Sequence, residues 1–254
     1  MRLTPILPGF LCVAVLAAAA LPARAAAIMQ YTYQGVVAEG FDSTGVFGAA
    51  GRDLAGLSFT AVFLRQDKPG ATVESDASSS AIYGSDADNP VSGWLAIDGG
   101  PQWSFGVSSG FQGVGRGCDV VCSDVFNHGA TTFIEMLAGT SRYSQNDFLT
   151  VFGEAAFASL ASLDYHDLPA FGPGDAVTFS GDFQVHSETS DSSNSSMEIL
   201  ASARGRLVPH SLAVSPYGEG GAVPEPAAWA LMILGFGAAG AMLRAHRKAW
   251  IAAA

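Results

Sequence analysis

From Val177 to His186 the chain alternates residue by residue: Val177, Phe179, Phe183 and Val185 fall on one side, Thr178, Ser180, Asp182, Gln184 and His186 on the other. A backbone with this period of two buries one face and wets the other only as a β-strand. Met197, Ile199, Ala201, Ala203 and Leu207 repeat the pattern against Glu198, Ser202, Arg204 and Arg206. Between the two runs, Thr189 to Ser196 is rich in Ser and carries Asp191 and Asn194, the composition of a hairpin loop. Leu57, Phe59, Ala61 and Phe63 make a third such face, and Tyr31, Tyr33 and Val37 a fourth. Further apolar stretches lie at Val91–Ile97, Trp103–Val107, Thr132–Leu137 and Phe148–Phe152, while Glu154–Leu163 alone reads as helical. Many short strands punctuated by Gly, Pro, Asp and Ser predict an all-β domain, a β-sandwich or jelly-roll-like fold.

The two ends follow other rules. Residues 1–25 read as a secretory signal peptide: Arg2 gives the positive start, Ile6–Leu21 the apolar run, and Ala23-Arg24-Ala25 the small-x-small cleavage site before Ala26. Pro5, Pro8 and Gly9 would break the first turns of a buried helix instead. Cys12 lies within the apolar run behind bulky Phe10 and Leu11, so it is not a lipidation site. Near the other end, residues 227–243 are 17 uncharged, apolar positions, about 25 Å of helix. That length is at the short end of what crosses a bilayer core. Arg244, Arg247 and Lys248 follow at once, and positive residues beside a span stay cytoplasmic, so the domain before it faces outward. The signal peptide demands the same orientation.

Gly235-Phe236-Gly237-Ala238-Ala239-Gly240 matches a dinucleotide-binding fingerprint, but it lacks the strand before it and the acidic residue after it. Small residues in a membrane helix, which permit close packing, account for it.

Pro224-Glu225-Pro226 directly precedes the span, Trp229-Ala230 opens it, Gly235 and Gly237 lie within it, and the basic cluster closes it. This order over Val223–Lys248 resembles the PEP-CTERM sorting signal, in its variant with Trp-Ala after the tripeptide. The tail at 249–254 follows. The resemblance implies a substrate of exosortase, an integral-membrane, cysteine transpeptidase-like enzyme of Gram-negative bacteria that make exopolysaccharide. It implies an inner-membrane-tethered precursor and then a cell-surface or extracellular product. It implies nothing about the activity of the central domain. Pro224 and Pro226 fix φ and lack an N–H, so they hold an extended stretch that a processing enzyme could reach.

The domain between, residues 26–222, carries 22 acidic and 7 basic residues, a net charge of −15 with His neutral. Nucleic-acid binding needs a basic surface, which this chain lacks. About 195 residues can bury a sizeable core unaided.

Candidate chemistry is sparse. Gly40–Gly48, followed by Asp53-Leu54-Ala55-Gly56, resembles the opening of many PEP-CTERM mature domains and reads as a glycine-rich connection with tight turns. A cation site on Asp42 and Asp53 is the alternative. Gly106-Val107-Ser108-Ser109-Gly110 matches G-x-S-x-G, but no helix follows to make a nucleophile elbow. His128, His166, His186 and His210 are scattered singly, without zinc spacing, and read as surface or loop residues. Asp86-Ala87-Asp88-Asn89 starts like a calcium loop but lacks its Gly and distal Glu, and reads as a solvated turn. No metal, cofactor or catalytic residue is expected.

Cys118 and Cys122 are the two cysteines left after export. An oxidising compartment favours a disulfide. Extended chain would hold their Cα atoms about 13 Å apart against a limit of about 7 Å, so a bridge requires a turn through Asp119–Val121. Zinc shared with distant histidines is the alternative. Two functions fit: a non-catalytic surface or matrix protein, or an exported exopolysaccharide-binding module stacking Trp94, Trp103 or Tyr side chains on sugar.

Overall fold

A computed structural model describes residues 28–118, 122–156, 159–167 and 176–217, without the side chains of Cys118 and Cys122. The signal-peptide residues Ala23, Ala25 and Ala26 lie outside the described residues. So do the span 227–243 and every sorting-signal position from Pro224 to Lys248. Ala26–Gly221 forms one compact unit.

Twelve strands build it: β1 (Met29–Asp42), β2 (Arg52–Asp53), β3 (Ser58–Arg65), β4 (Thr72–Ser75), β5 (Ser79–Ser85) and β6 (Val91–Ile97) in the first half. β7 (Gln102–Phe105), β8 (Ser109–Cys118), β9 (Cys122–Ala138), β10 (Ser141–Ala156), β11 (Val177–Asp191) and β12 (Ser196–Pro216) follow. They form one antiparallel sheet in the order β4-β5-β8-β9-β10-β11-β12-β1-β3-β6-β7, with β2 paired to β1 off that path. The all-β expectation holds.

The two-sheet sandwich is replaced by a single sheet that curls. β8 and β7 are eight steps apart in the strand order, which in a flat sheet is about 38 Å at ~4.8 Å per strand. Yet three residues, 106–108, connect them, and so short a link reaches at most about 14 Å. The sheet must fold back on itself, and β6 accordingly packs across the interior on β8, β9 and β10. The bend passes through β1, which pairs with β12 along its length and with β3 over Met29–Val36, so the ladder never breaks into two sheets. Register shifts at Gln34/Gly35 and Val37/Glu39 sharpen the curl, because each bulge adds local twist and bend.

The inner face is the one the alternation marked. Phe179, Phe183, Val185, Tyr31, Tyr33, Val37, Phe59, Ala61 and Phe63 are all buried. Phe126 of β9 lies against Gly153 of β10, where any side chain would meet its ring. The hairpin between β11 and β12 turns at Ser192–Ser195, inside the expected loop, with Asp191 accepting the Ser193 N–H at 2.8 Å. The expected helix over Glu154–Leu163 is not formed. Glu154 and Ala155 pair with Thr178 and Val177 as the end of β10, so sheet pairing overrides their helix propensity. Past that strand, the described helical structure is one short 3-10 turn, Tyr165–Asp167.

Candidate functional site

The two aspartates of the glycine-rich connection do not converge. Asp42 pairs with Arg52 while its neighbour Phe41 pairs with Asp53, which sets the two carboxylates on opposite faces. Asp42 is fully buried, and its carboxylate accepts the N–H groups of Gly45, Val46 and Phe47 at 2.8, 2.9 and 2.8 Å. Asp53 accepts the Ala55 N–H at 2.9 Å. Asp42 therefore builds the turn that seats Phe47 edge-on against Phe183, ring centroids 5.5 Å apart.

Ser108 is a clamp between strands. Its hydroxyl donates to the Phe133 carbonyl and accepts the Phe133 N–H, both at 2.7 Å. Asp86–Asp88 forms a single 3-10 turn with exposed acidic groups, and Asn89 closes it by donating to the Gly106 carbonyl and accepting the Val91 N–H. Among the described residues, no three or more His, Cys, Asp or Glu side chains gather as a metal would need.

The histidines correct the sequence reading at one position. His166 is exposed between Asp164 and Asp67, at 2.6 and 2.9 Å, and His186 faces Glu188 at 3.2 Å. His210 is exposed on β12. His128 instead is fully buried, because it shares the inner face of β9 with Phe126 and Ala130. It sits in a polar chain threaded through the apolar interior. Gln112 Nε2 donates to the Tyr165 carbonyl and the Tyr31 hydroxyl, which leaves its Oε1 to accept from His128 Nε2 at 3.0 Å. His128 Nδ1 must then accept from the Tyr33 hydroxyl, 2.8 Å away. The ring is neutral with its proton on Nε2. Burial, with a smaller push from Arg65, lowers its pKa from 6.5 to about 3. Burial raises the Tyr33 phenol well above its usual value. Arg65 donates to the Tyr165 carbonyl at 2.9 Å and lies over the Tyr31 and Tyr165 rings. The bonds among His128, Gln112, Tyr33 and Tyr31 hold the core in one arrangement, while the buried Arg65 Nε makes no hydrogen bond and lies 3.4 Å from Asp67.

Trp103 and Trp94 lie on opposite faces of the sheet. The Trp103 indole N–H donates to Asp147 at 3.0 Å, tying the edge strand β7 to β10 across the interior. Trp94 is half-buried on β6, away from it. Cys118 and Cys122 stand opposite each other where the β8–β9 ladder ends. Directly opposed antiparallel residues have Cα atoms about 4.5–5.5 Å apart, within reach of a disulfide. Residues 119–121, which join them, lie outside the described residues.

A feature that sequence reasoning missed lies on the outer face. Two adjoining hollows of about 580 and 530 Å³ share Phe41, Gln184 and Arg204. A third, about 420 Å³, is lined by Tyr83, Phe111, Ser85, Ser109 and Asp88. Phe41 is 48% exposed, Tyr83 38% and Phe111 37%. No signal in one strand could have found these hollows, since each draws on residues from several strands.

Among the described residues no helix is long and apolar enough to cross a membrane. No curated protein and no solved structure matches the chain. Residues 222–248 match the PEP-CTERM protein-sorting motif. The match takes in Pro224-Glu225-Pro226, the Trp229-Ala230 pair and the basic residues Arg244, Arg247 and Lys248. The chain therefore carries a PEP-CTERM protein-sorting motif.

Proposed function

We propose that the protein is an exported, non-catalytic surface or matrix protein whose C-terminal motif is processed by exosortase. The motif match at 222–248 carries this reading. The span 227–243 acts as a temporary stop that holds the domain outside the inner membrane. The basic residues after it resist following the domain outward. Pro224 and Pro226 keep the tripeptide extended at the interface, and cleavage near it frees the domain for the cell surface. Ser108, the serine of the G-x-S-x-G match, clamps the Phe133 backbone, and His128 is held in the core network.

The double variant Pro224→Ala, Pro226→Ala is expected to let the helix extend through the tripeptide and to leave most of the protein full-length in the inner membrane. Cell fractionation reads this out. Normal delivery of that variant to the surface would contradict the reading.

Cys118 and Cys122 are expected to be bridged after export, closing a loop worth about 2 kcal/mol by chain entropy. Thiol labelling of the denatured, unreduced, exported protein should then find neither cysteine. Two labelled thiols per chain would contradict it.

A further inference from the structure

We infer that the outer face of the sheet binds a neutral polysaccharide chain, laid across the strands from β5 to β1. Directly paired residues share a face. By register, Phe148 of β10 opposes Gln184 of β11, Gln184 opposes Arg204 of β12, and Arg204 opposes Phe41 of β1. These four side chains form one straight row across four strands. The neighbouring row runs Tyr83, Phe111, Gly129, Thr150, Asp182, Arg206, Glu39, from β5 through to β1. Six strand spacings make this track about 29 Å long. Each of the three outer-face hollows is lined by residues of one or both of these rows. A track of that length suits a polymer, not a single sugar.

The chemistry of the track selects the occupant. Phe111 lies over Gly129, where any side chain would displace its ring, so the ring is held against the sheet. The side chains of Gln184 and Arg204 have no hydrogen bond or ion pair among the described residues, and Arg204 is exposed. Their amide and guanidinium groups are thus free to bond hydroxyls and ring oxygens. Phe148 and Phe41 are three strands apart, about 14 Å, with these polar groups between them. A protein partner would want a contiguous apolar centre, and so would a lipid surface. A pyranose chain presents C–H faces alternating with hydroxyl rims, which this spacing of rings and planar polar groups matches. The domain's charge of −15 disfavours a polyanion.

This deepens the surface-protein reading by naming what the delivered domain would meet, but its test needs no sorting. The full-length chain, in a detergent without a sugar headgroup, is run through native gels. Each gel contains one soluble neutral polysaccharide (xylan, galactomannan, mixed-linkage glucan or dextran) or, separately, polygalacturonate. Retardation by at least one neutral polymer is expected, weakened at least fivefold by Arg204→Ala, by Phe148→Ala and by Tyr83→Ala. Phe133→Ala, exposed on β9 beyond the track, should leave it unchanged. Thermal melts check that the variants are folded. No retardation by any neutral polymer would overturn the inference, as would retardation by polygalacturonate alone or neutral binding untouched by Arg204→Ala and Tyr83→Ala. None of these results would bear on exosortase processing.

Discussion

Acidifying from pH 7 to 4.5 is expected to cost the folded domain about 2.5 kcal/mol through His128 alone. The ring has a pKa of about 3 when folded, against 6.5 for an unperturbed imidazole. Between those values the unfolded chain binds a proton that the native one refuses. The stability is therefore fully present above pH 6.5 and drains away as the pH falls toward 3. The cause is burial, which keeps water from a charged ring, with a smaller push from the Arg65 guanidinium. Carboxylates elsewhere also titrate toward the low end of this range, so the comparison must be with a variant. His128→Gln should be less stable at pH 7, because it loses the ring's packing against Tyr31, Tyr33 and Phe63, and should lose most of the extra acid sensitivity. Urea denaturation of both proteins at the two pH values measures this. Parallel losses in wild type and variant would show that His128 is not the source.

Asp42→Ala should destabilise the domain by about 3–5 kcal/mol. Three backbone N–H groups, those of Gly45, Val46 and Phe47, bond a carboxylate that is itself fully buried. Alanine leaves all three without an acceptor, and the Phe47 N–H is buried. Phe47 would also lose the turn that presses it onto Phe183. Asp53→Ala is the control, since its carboxylate is exposed and accepts a single N–H at 2.9 Å. It should cost less than about 1 kcal/mol. Denaturant midpoints decide the matter. Equal effects at the two positions would mean that the connection is held by something other than Asp42.

The alternation along Val177–Val185 and Leu57–Phe63 revealed both the strands and the faces they bury, because a period of two is local information. Sheet closure is not local. The same alternation serves two stacked sheets or one curled sheet, and the choice rests on β1 pairing with both β12 and β3. β8 carries no alternation that marks a strand, because its glycines have poor strand propensity, yet β5 and β9 pair with it on both sides. His128 was read as a surface residue, although the alternation of Phe126, His128 and Ala130 already placed it inward. The outer-face track was invisible in sequence because its row exists only through the register of β10, β11, β12 and β1. The aromatics singled out from sequence, Trp94 and Trp103, lie on other strands. The sorting motif was the most legible part, since its order of tripeptide, Trp-Ala, apolar run and basic cluster is linear by nature.

The C-terminus carries the central claim, and one measurement tests it: mass spectrometry of the protein from a strain with exosortase and from the same strain without it. With the enzyme, the surface form should lack Trp229 through Ala254. Without it, the C-terminal peptide should be recovered intact on protein held in the inner membrane. An intact C-terminal peptide on surface protein from the enzyme-competent strain would contradict processing at the motif.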